Sequence, residues 1–262
     1  MHFVRSGSGR PPLVFVHGFA CSHDDWGLQI EHFRKRFEVV ACDLRGHGVT
    51  PGRPQECSIA HYGGDVAALV NALELEPAVL IGHSMGCRVV LEATRLLQNK
   101  ISGVVLIDGS RTASGDPEAA ERAARAMLDK AGGYAAFAEN LFRQMFFAPS
   151  ALADAIVARA LRQSAGFGPE LWPAMARWDA ADMDAALAAV RVPVLVIQST
   201  TRNAELKRTS LRVGETTPYL ELMKRSLKDV RVEIIAGVGH FTQLEAPDEV
   251  NRLIRSFAEA RR

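Results

Sequence analysis

The strongest chemical signal in this chain is Gly82-His83-Ser84-Met85-Gly86. An apolar run, Ala78-Val79-Leu80-Ile81, leads into it, and a helical pattern with Val89, Val90, Ala93, Leu96 and Leu97 follows it. A serine between strand and helix, flanked by glycines, fits a sharp turn whose strained backbone exposes the hydroxyl above a sheet. Side chains at positions 82 or 86 would collide with neighbouring backbone. The helix N-terminus then aims its dipole at the site. That chemistry is nucleophilic attack, and it requires a base. His240, in Gly237-Val238-Gly239-His240-Phe241, stands between the last strand pattern and a C-terminal helical pattern. Such a loop lies at the carboxyl edge of a parallel sheet, and an imidazole titrates in the range a base needs. His17-Gly18-Phe19 follows the first apolar run. The Phe19 N–H, with that of Met85, can therefore face an oxygen on which negative charge develops. His17, His47 and His83 read as residues that fix loops or pack. Cys21 and Cys87, close to the two amides, read as small buried packing residues.

The elements that must position these groups alternate along the chain. Residues 13–16, 37–42, 78–81, 104–107, 194–197 and 232–235 are rich in Val, Ile and Leu, as in strands buried on both faces of a parallel sheet. Helical spacing covers 59–74, 85–98 and 246–260, the last opening with a proline and acids in its first turn. This alternation predicts right-handed crossovers and an α/β sheet. Residues 111–190 break the rhythm. They are Ala-rich and read as helices from Pro117 to Lys130, Tyr134 to Met145, Ala151 to Arg162, Pro169 to Arg177 and Ala180 to Val190. The expectation is a helical insertion between two sheet strands.

Composition bounds the rest. A chain of 262 residues suits one large domain, or one domain carrying an insertion. With 31 Lys+Arg against 30 Asp+Glu, the formal charge of +1 argues against a nucleic-acid partner recruited by bulk positive charge. Cys21, Cys42, Cys57 and Cys87 show neither C-x-x-C spacing nor a Cys/His cluster, so free thiols and no metal are expected. The residues from Met1 to Gly7 lack the apolar core of a signal peptide, and no apolar run approaches the ~20 residues of a membrane span. The expectation is a cytoplasmic protein acting on a small-molecule substrate, without cofactor, nucleic acid or membrane partner.

His17-Gly18-Phe19, Asp43-Leu44-Arg45-Gly46-His47-Gly48, Gly82-His83-Ser84-Met85-Gly86 and Gly239-His240 stand in the order and spacing of the α/β-hydrolase superfamily, which the chain resembles over residues 1–110 and 191–262. The resemblance implies an α/β-hydrolase fold, with a mostly parallel sheet flanked by helices and residues 111–190 as a helical cap. It implies a Ser-His-acid triad of Ser84, His240 and a carboxylate, with an oxyanion hole from the Phe19 and Met85 amides. It implies hydrolysis more than any other reaction and leaves the substrate open. The acid departs from the common pattern. Most members carry it after the strand here at 194–197, but this chain continues Gln198-Ser199-Thr200-Thr201-Arg202-Asn203-Ala204-Glu205. Some members, haloalkane dehalogenases and cofactor-free dioxygenases among them, carry it after the preceding strand, where Asp108 stands. Asp108 is the first candidate and Glu205 the alternative. Arg111, near Asp108, reads as an ion-pair partner or an exposed residue, with binding of an anionic substrate as the alternative.

The expected activity is carboxylic-ester hydrolysis of a small, partly apolar substrate. Two alternatives accompany it: C–C hydrolysis or cofactor-free ring oxygenolysis by the same site, and a small-ligand receptor of the same fold. Dehalogenase and epoxide hydrolase chemistry is disfavoured, because Ser84 occupies the place of their Asp nucleophile. Phe137, Phe142, Phe146, Phe147, Trp172 and Trp178 are candidates to line an apolar pocket or to pack between the inserted helices.

Overall fold

Apolar runs too short for helices and bounded by glycine, proline and polar turns become the strands. The computed structural model describes residues 1–203 and 207–261. The strands are β1 (Phe3–Ser6), β2 (Leu13–Val16), β3 (Val39–Cys42), β4 (Ala78–His83), β5 (Ile101–Ile107), β6 (Val194–Gln198), β7 (Thr200–Arg202), β8 (Arg208–Ser210) and β9 (Val230–Ile234). Seven form one sheet in the order β1-β3-β2-β4-β5-β6-β9. β1 runs antiparallel to β3, and every other pairing in that sheet is parallel. β7 and β8 form a separate antiparallel hairpin. The register sets His83 beside Ile107 and Ile107 beside Ile197. The carboxyl ends of β4, β5 and β6 are therefore level, and the residues that follow them project from one edge.

The helices are α1 (Gly27–Phe33), α2 (Ile59–Ala72), α3 (Met85–Leu97), α4 (Pro117–Lys130), α5 (Tyr134–Arg143), α6 (Ala151–Ser164), α7 (Gly168–Ala181), α8 (Met183–Ala189), α9 (Pro218–Ser226), α10 (Thr242–Glu245) and α11 (Pro247–Glu259). Alternate strand residues feed two apolar layers. Val14, Val16, Val104 and Leu106 pack with α2, α3 and the inserted helices, while Leu13, Phe15, Val105 and Ile107 pack with α1 and α11. Among the described residues no helix is long and apolar enough to cross a membrane.

Between β5 and β6 the chain forms α4 to α8 and no strand. Several helix ends differ from expectation: α5 stops at Arg143 rather than Met145, α6 runs on to Ser164 rather than Arg162, α7 continues through Ala181 rather than breaking near Arg177, and α8 starts at Met183 rather than Ala180 and ends at Ala189 rather than Val190. The extension of α7 is held by Asp179, which is fully buried within it. Its carboxylate takes a two-bond fork from Arg88 of α3, at 2.7 Å and 2.7 Å, and also accepts from the Thr112 N–H and hydroxyl. A second tie joins Arg159 of α6 to Asp25 beside β2, at 2.6 and 2.7 Å. The insertion is thus clamped to the rest of the chain through α7 and through α6. Arg111 pairs with Asp184 of α8 rather than with its chain neighbour Asp108.

Candidate active site

The turn between β4 and α3 places Ser84. Its backbone has φ +56° and ψ −115°, a conformation that side-chain-bearing residues rarely adopt. The surroundings hold it there. The Ser84 N–H donates to the Ile107 carbonyl at 2.9 Å. A Cβ at Gly82 would lie 2.3 Å from the Gly86 carbonyl oxygen, and one at Gly86 would lie 2.4 Å from that of Val16. Only glycine fits at either place. Ser84 itself is half-buried. Gly18 packs on it closely enough that a Cβ there would stand 3.1 Å from the Ser84 Cβ. Phe19 therefore begins its loop next to the serine. Met85 is the first residue of α3, so its N–H has no acceptor within that helix.

His240 reaches the same point from the loop after β9. Its Nε2 lies 2.7 Å from Ser84 Oγ, and its Nδ1 lies 2.6 Å from Asp108 Oδ2. The loop is held from several directions. The His240 N–H donates to the Met145 carbonyl at 2.7 Å, and the His240 carbonyl accepts from His83 Nε2 at 2.8 Å. Ser199 Oγ donates to the Gly239 carbonyl at 2.8 Å, and the Gly239 N–H donates to Glu245 at 3.0 Å. His83 is thus more than a packing residue: it fixes the backbone of His240. His17 and His47 are buried and hold the neighbouring loops, His17 by accepting the Leu44 N–H at 3.1 Å.

Asp108 follows β5, fully enclosed and with φ +46°. Its Oδ1 accepts the Ser199 and Thr200 N–H groups, each at 2.8 Å. Its Oδ2 takes His240, the Thr200 hydroxyl and, at 3.3 Å, Arg208 Nη1. Burial pushes the carboxyl pKa up, but the His240 hydrogen bond and charge, Arg208 and Thr200 outweigh it and hold it at about 2. Asp108 is therefore ionised at neutral pH. His240 is driven well below the ordinary imidazole value by burial and by the Arg208 charge, against the pull of Asp108. A neutral imidazole that donates from Nδ1 to a carboxylate leaves Nε2 as the acceptor for the Ser84 proton.

The structure brings Ser84, His240 and Asp108 together and sets Phe19 and Met85 beside the serine. Glu205 lies outside the described residues. The supporting residues Ser199, Thr200, Arg208, His83 and Met145 were not legible as such in the sequence. Four cysteines are free and buried, and burial raises the Cys42 and Cys87 thiols to about 12, which leaves them unreactive. One group of potential metal ligands, His2, His23 and Asp43, has donor atoms within 4.8 Å of one another. The Asp43 carboxylate, however, already accepts His23 N and Nδ1 and the Val49 N–H, so it is engaged in holding its turn. Over Phe19 lie rings from the insertion: Phe142, Phe167 and Trp172 have centroids 6.3, 6.2 and 6.2 Å away, and Phe137 packs on Trp172 at 4.7 Å. Trp178 turns instead toward Glu92 of α3, and Phe147 is exposed.

A model of the alpha/beta hydrolase family matches residues 13–253. A non-heme chloroperoxidase of Burkholderia pyrrocinia is 45% identical over 76 residues, 29% of this chain and 27% of that protein. The dihydrolipoyllysine-residue acetyltransferase component of the acetoin cleaving system of Cupriavidus necator is 30% identical over 107 residues, 41% of this chain and 29% of that protein. The chain thus spans less than a third of the length of these two relatives. Among solved structures, a thermophilic esterase from Thermogutta terrifontis superposes with a TM-score of 0.76 at 25% identity, over 99% of this chain and 93% of that one.

Proposed function

The chain belongs to the alpha/beta hydrolase family, and from that premise we propose that it is a serine hydrolase of carboxylic esters, working through Ser84, His240 and Asp108. The observation that carries this reading is the continuous hydrogen-bonded line from Ser84 Oγ through His240 to Asp108, at 2.7 and 2.6 Å. His240 Nε2 takes the hydroxyl proton as Ser84 Oγ attacks the ester carbonyl. The Phe19 and Met85 N–H groups receive the oxyanion of the tetrahedral intermediate. Asp108 holds the imidazole in the productive tautomer and stabilises the imidazolium. His240 then gives its proton to the leaving alcohol, and water, activated by the same nitrogen, releases the acyl group from Ser84.

The aromatic rings above Phe19 support a small substrate with an apolar part, and the insertion acts as a cap that selects it. Purified protein is expected to release p-nitrophenol from p-nitrophenyl butyrate and to be labelled at Ser84 by a fluorophosphonate. Ser84→Ala is expected to lose both. Absence of labelling, with no turnover of any ester, lactone or thioester, would overturn the reading.

One observation favours a second reading. The carboxylate that meets His240 follows β5 rather than β6, a placement the chain shares by resemblance with cofactor-free dioxygenases. The same triad then deprotonates a heteroaromatic substrate for attack on oxygen. Oxygen consumption on adding a quinolone-type compound, without ester turnover, distinguishes it.

A further inference from the structure

A cavity of about 240 Å³ lies beside Asp108, between the segment after β5, the hairpin β7–β8 and the start of α9. Neither Ser84 nor His240 lines it. Its described wall carries three guanidiniums, Arg111, Arg202 and Arg208, together with hydroxyl and amide groups, and no carboxylate. Two of the three guanidiniums are paired outside the wall. Arg111 forks onto Asp184 at 2.9 and 2.9 Å, and Arg208 touches Asp108 at 3.3 Å. Arg202 differs. Its Nη2 donates to Ser110 Oγ at 3.0 Å, its Nε is buried with no acceptor, and no carboxylate among the described residues pairs with it. In the same wall, Gln198 Oε1 is buried without a donor.

Arg202 is half-buried, but its Nε–H is enclosed, and an enclosed, unpaired guanidinium N–H is ordinarily matched by an acceptor, because its desolvation is otherwise uncompensated. Here the charge around the cavity adds to the strain. Burial, then the Arg208 and Arg88 charges, press the Arg202 pKa down to about 9, against Asp179 and Asp108. Arg202 still carries its proton at neutral pH. Arg202 lines a cationic, polar cavity, and the planar N–H donors of a guanidinium match the geometry of a carboxylate or phosphate.

We propose that this cavity binds a small oxyanion, a carboxylate or a phosphate group, on the Arg202 guanidinium. The site contains neither Ser84 nor His240 and shares Thr200 and Arg208 with the surroundings of Asp108. Whether the group belongs to a free anion or to a larger metabolite, its recognition chemistry is the same.

Isothermal titration of the full chain with inorganic phosphate and with succinate, at fixed ionic strength, tests the site, with neutral succinamide as control. Saturable binding of phosphate, of succinate or of both, with a dissociation constant below about 10 mM, is expected, and none for succinamide. Response to phosphate alone marks a phosphate ligand, and response to succinate alone marks a carboxylate. Arg202→Met is expected to weaken binding on the order of tenfold or more, and Arg202→Lys, which keeps the charge without the fork, by less. Circular dichroism and melting temperature establish that each variant is folded. The proposal is overturned if neither anion binds the parent chain, or if folded Arg202→Met binds as the parent does. Neither result depends on whether the enzyme turns over esters.

Discussion

Asp108→Asn keeps the shape of the side chain and removes its charge, and the neighbours dictate how the amide must sit. The Ser199 and Thr200 N–H groups both point at Oδ1, so the asparagine carbonyl oxygen turns toward them. The NH₂ then replaces Oδ2, in front of His240 Nδ1, the Thr200 hydroxyl and Arg208. A donor facing Nδ1 forces the imidazole proton onto Nε2, and the ring then donates to Ser84 instead of accepting from it. The expected loss in kcat on p-nitrophenyl butyrate is on the order of 10³–10⁴, about 4–5.5 kcal/mol of transition-state stabilisation. A second loss accompanies it. Arg208, whose side chain is 6% exposed, is left without its carboxylate. Stranding one member of a buried pair costs about 3–5 kcal/mol of unfolding free energy, read by urea denaturation. Asp108→Asn/Arg208→Met removes the stranded charge. It is expected to recover most of the stability and none of the activity. Recovery of kcat in the double variant would refute the tautomer argument, since the first loss would then have been structural. Wild-type kcat in Asp108→Asn, with a large loss in Glu205→Gln, would transfer the acid to Glu205.

Gly239→Ala puts a methyl 2.3 Å from the Met145 carbonyl oxygen and 2.6 Å from Glu245; the His240 loop must shift, and kcat is expected to fall on the order of 10²-fold, as for a displacement of ~1 Å. His17, His47, His83 and His240 are all held below the imidazole value by burial first of all. Their folded pKa values lie below the unfolded ~6.5, so their contribution to stability is present above that pH and is lost as pH falls toward the folded values. Melting temperature is therefore expected to be level from about pH 8 to 7 and to decline below about 6.5. The acidic limb of kcat/KM is likewise expected below 6.5, where a limb at or above that value would contradict the depressed His240. Arg88→Met leaves Asp179 buried and without its cation, and a loss of about 3–5 kcal/mol is expected by denaturant titration. In Arg88→Met/Asp179→Leu most of that loss is expected to return.

Much of the fold was legible because its strands are enclosed on both faces and so read as unbroken apolar runs. β2 at Leu13–Val16 and α4 at Pro117–Lys130 match their sequence patterns end to end. β1 was not legible: an antiparallel edge, Phe3–Ser6, with Arg5 exposed and the other three residues half-buried, leaves no apolar run. The hairpin β7–β8 was not legible either, since Thr, Arg and Ser give it neither alternation nor a turn signature, and it read as a polar loop. That omission hid most of what surrounds Asp108, because Thr200 and Arg208 meet the carboxylate only when the hairpin forms. Ser84 and His240 were visible because each is framed by glycines that the backbone demands locally. Arg202 and Arg208 were invisible because their significance depends on partners about 100 positions earlier in the chain, at Ser110 and Asp108.

The bond from the His240 N–H to the Met145 carbonyl, with Phe146 stacked on Phe241 at 4.9 Å, bears on how far this protein can be recombined. The short segment between α5 and α6 belongs by sequence to the insertion, but it is also part of the mount for the proposed base. Swapping the insertion wholesale for that of another family member would exchange a bearing of the His240 loop together with the helices proposed to select the substrate. Variation confined to the exposed turns of α4 and α6, with residues 143–147 retained, leaves that bearing in place. On the proposed reading, selectivity and proton transfer are therefore not separately inherited parts of this chain: a lineage that remodels one must re-seat the other.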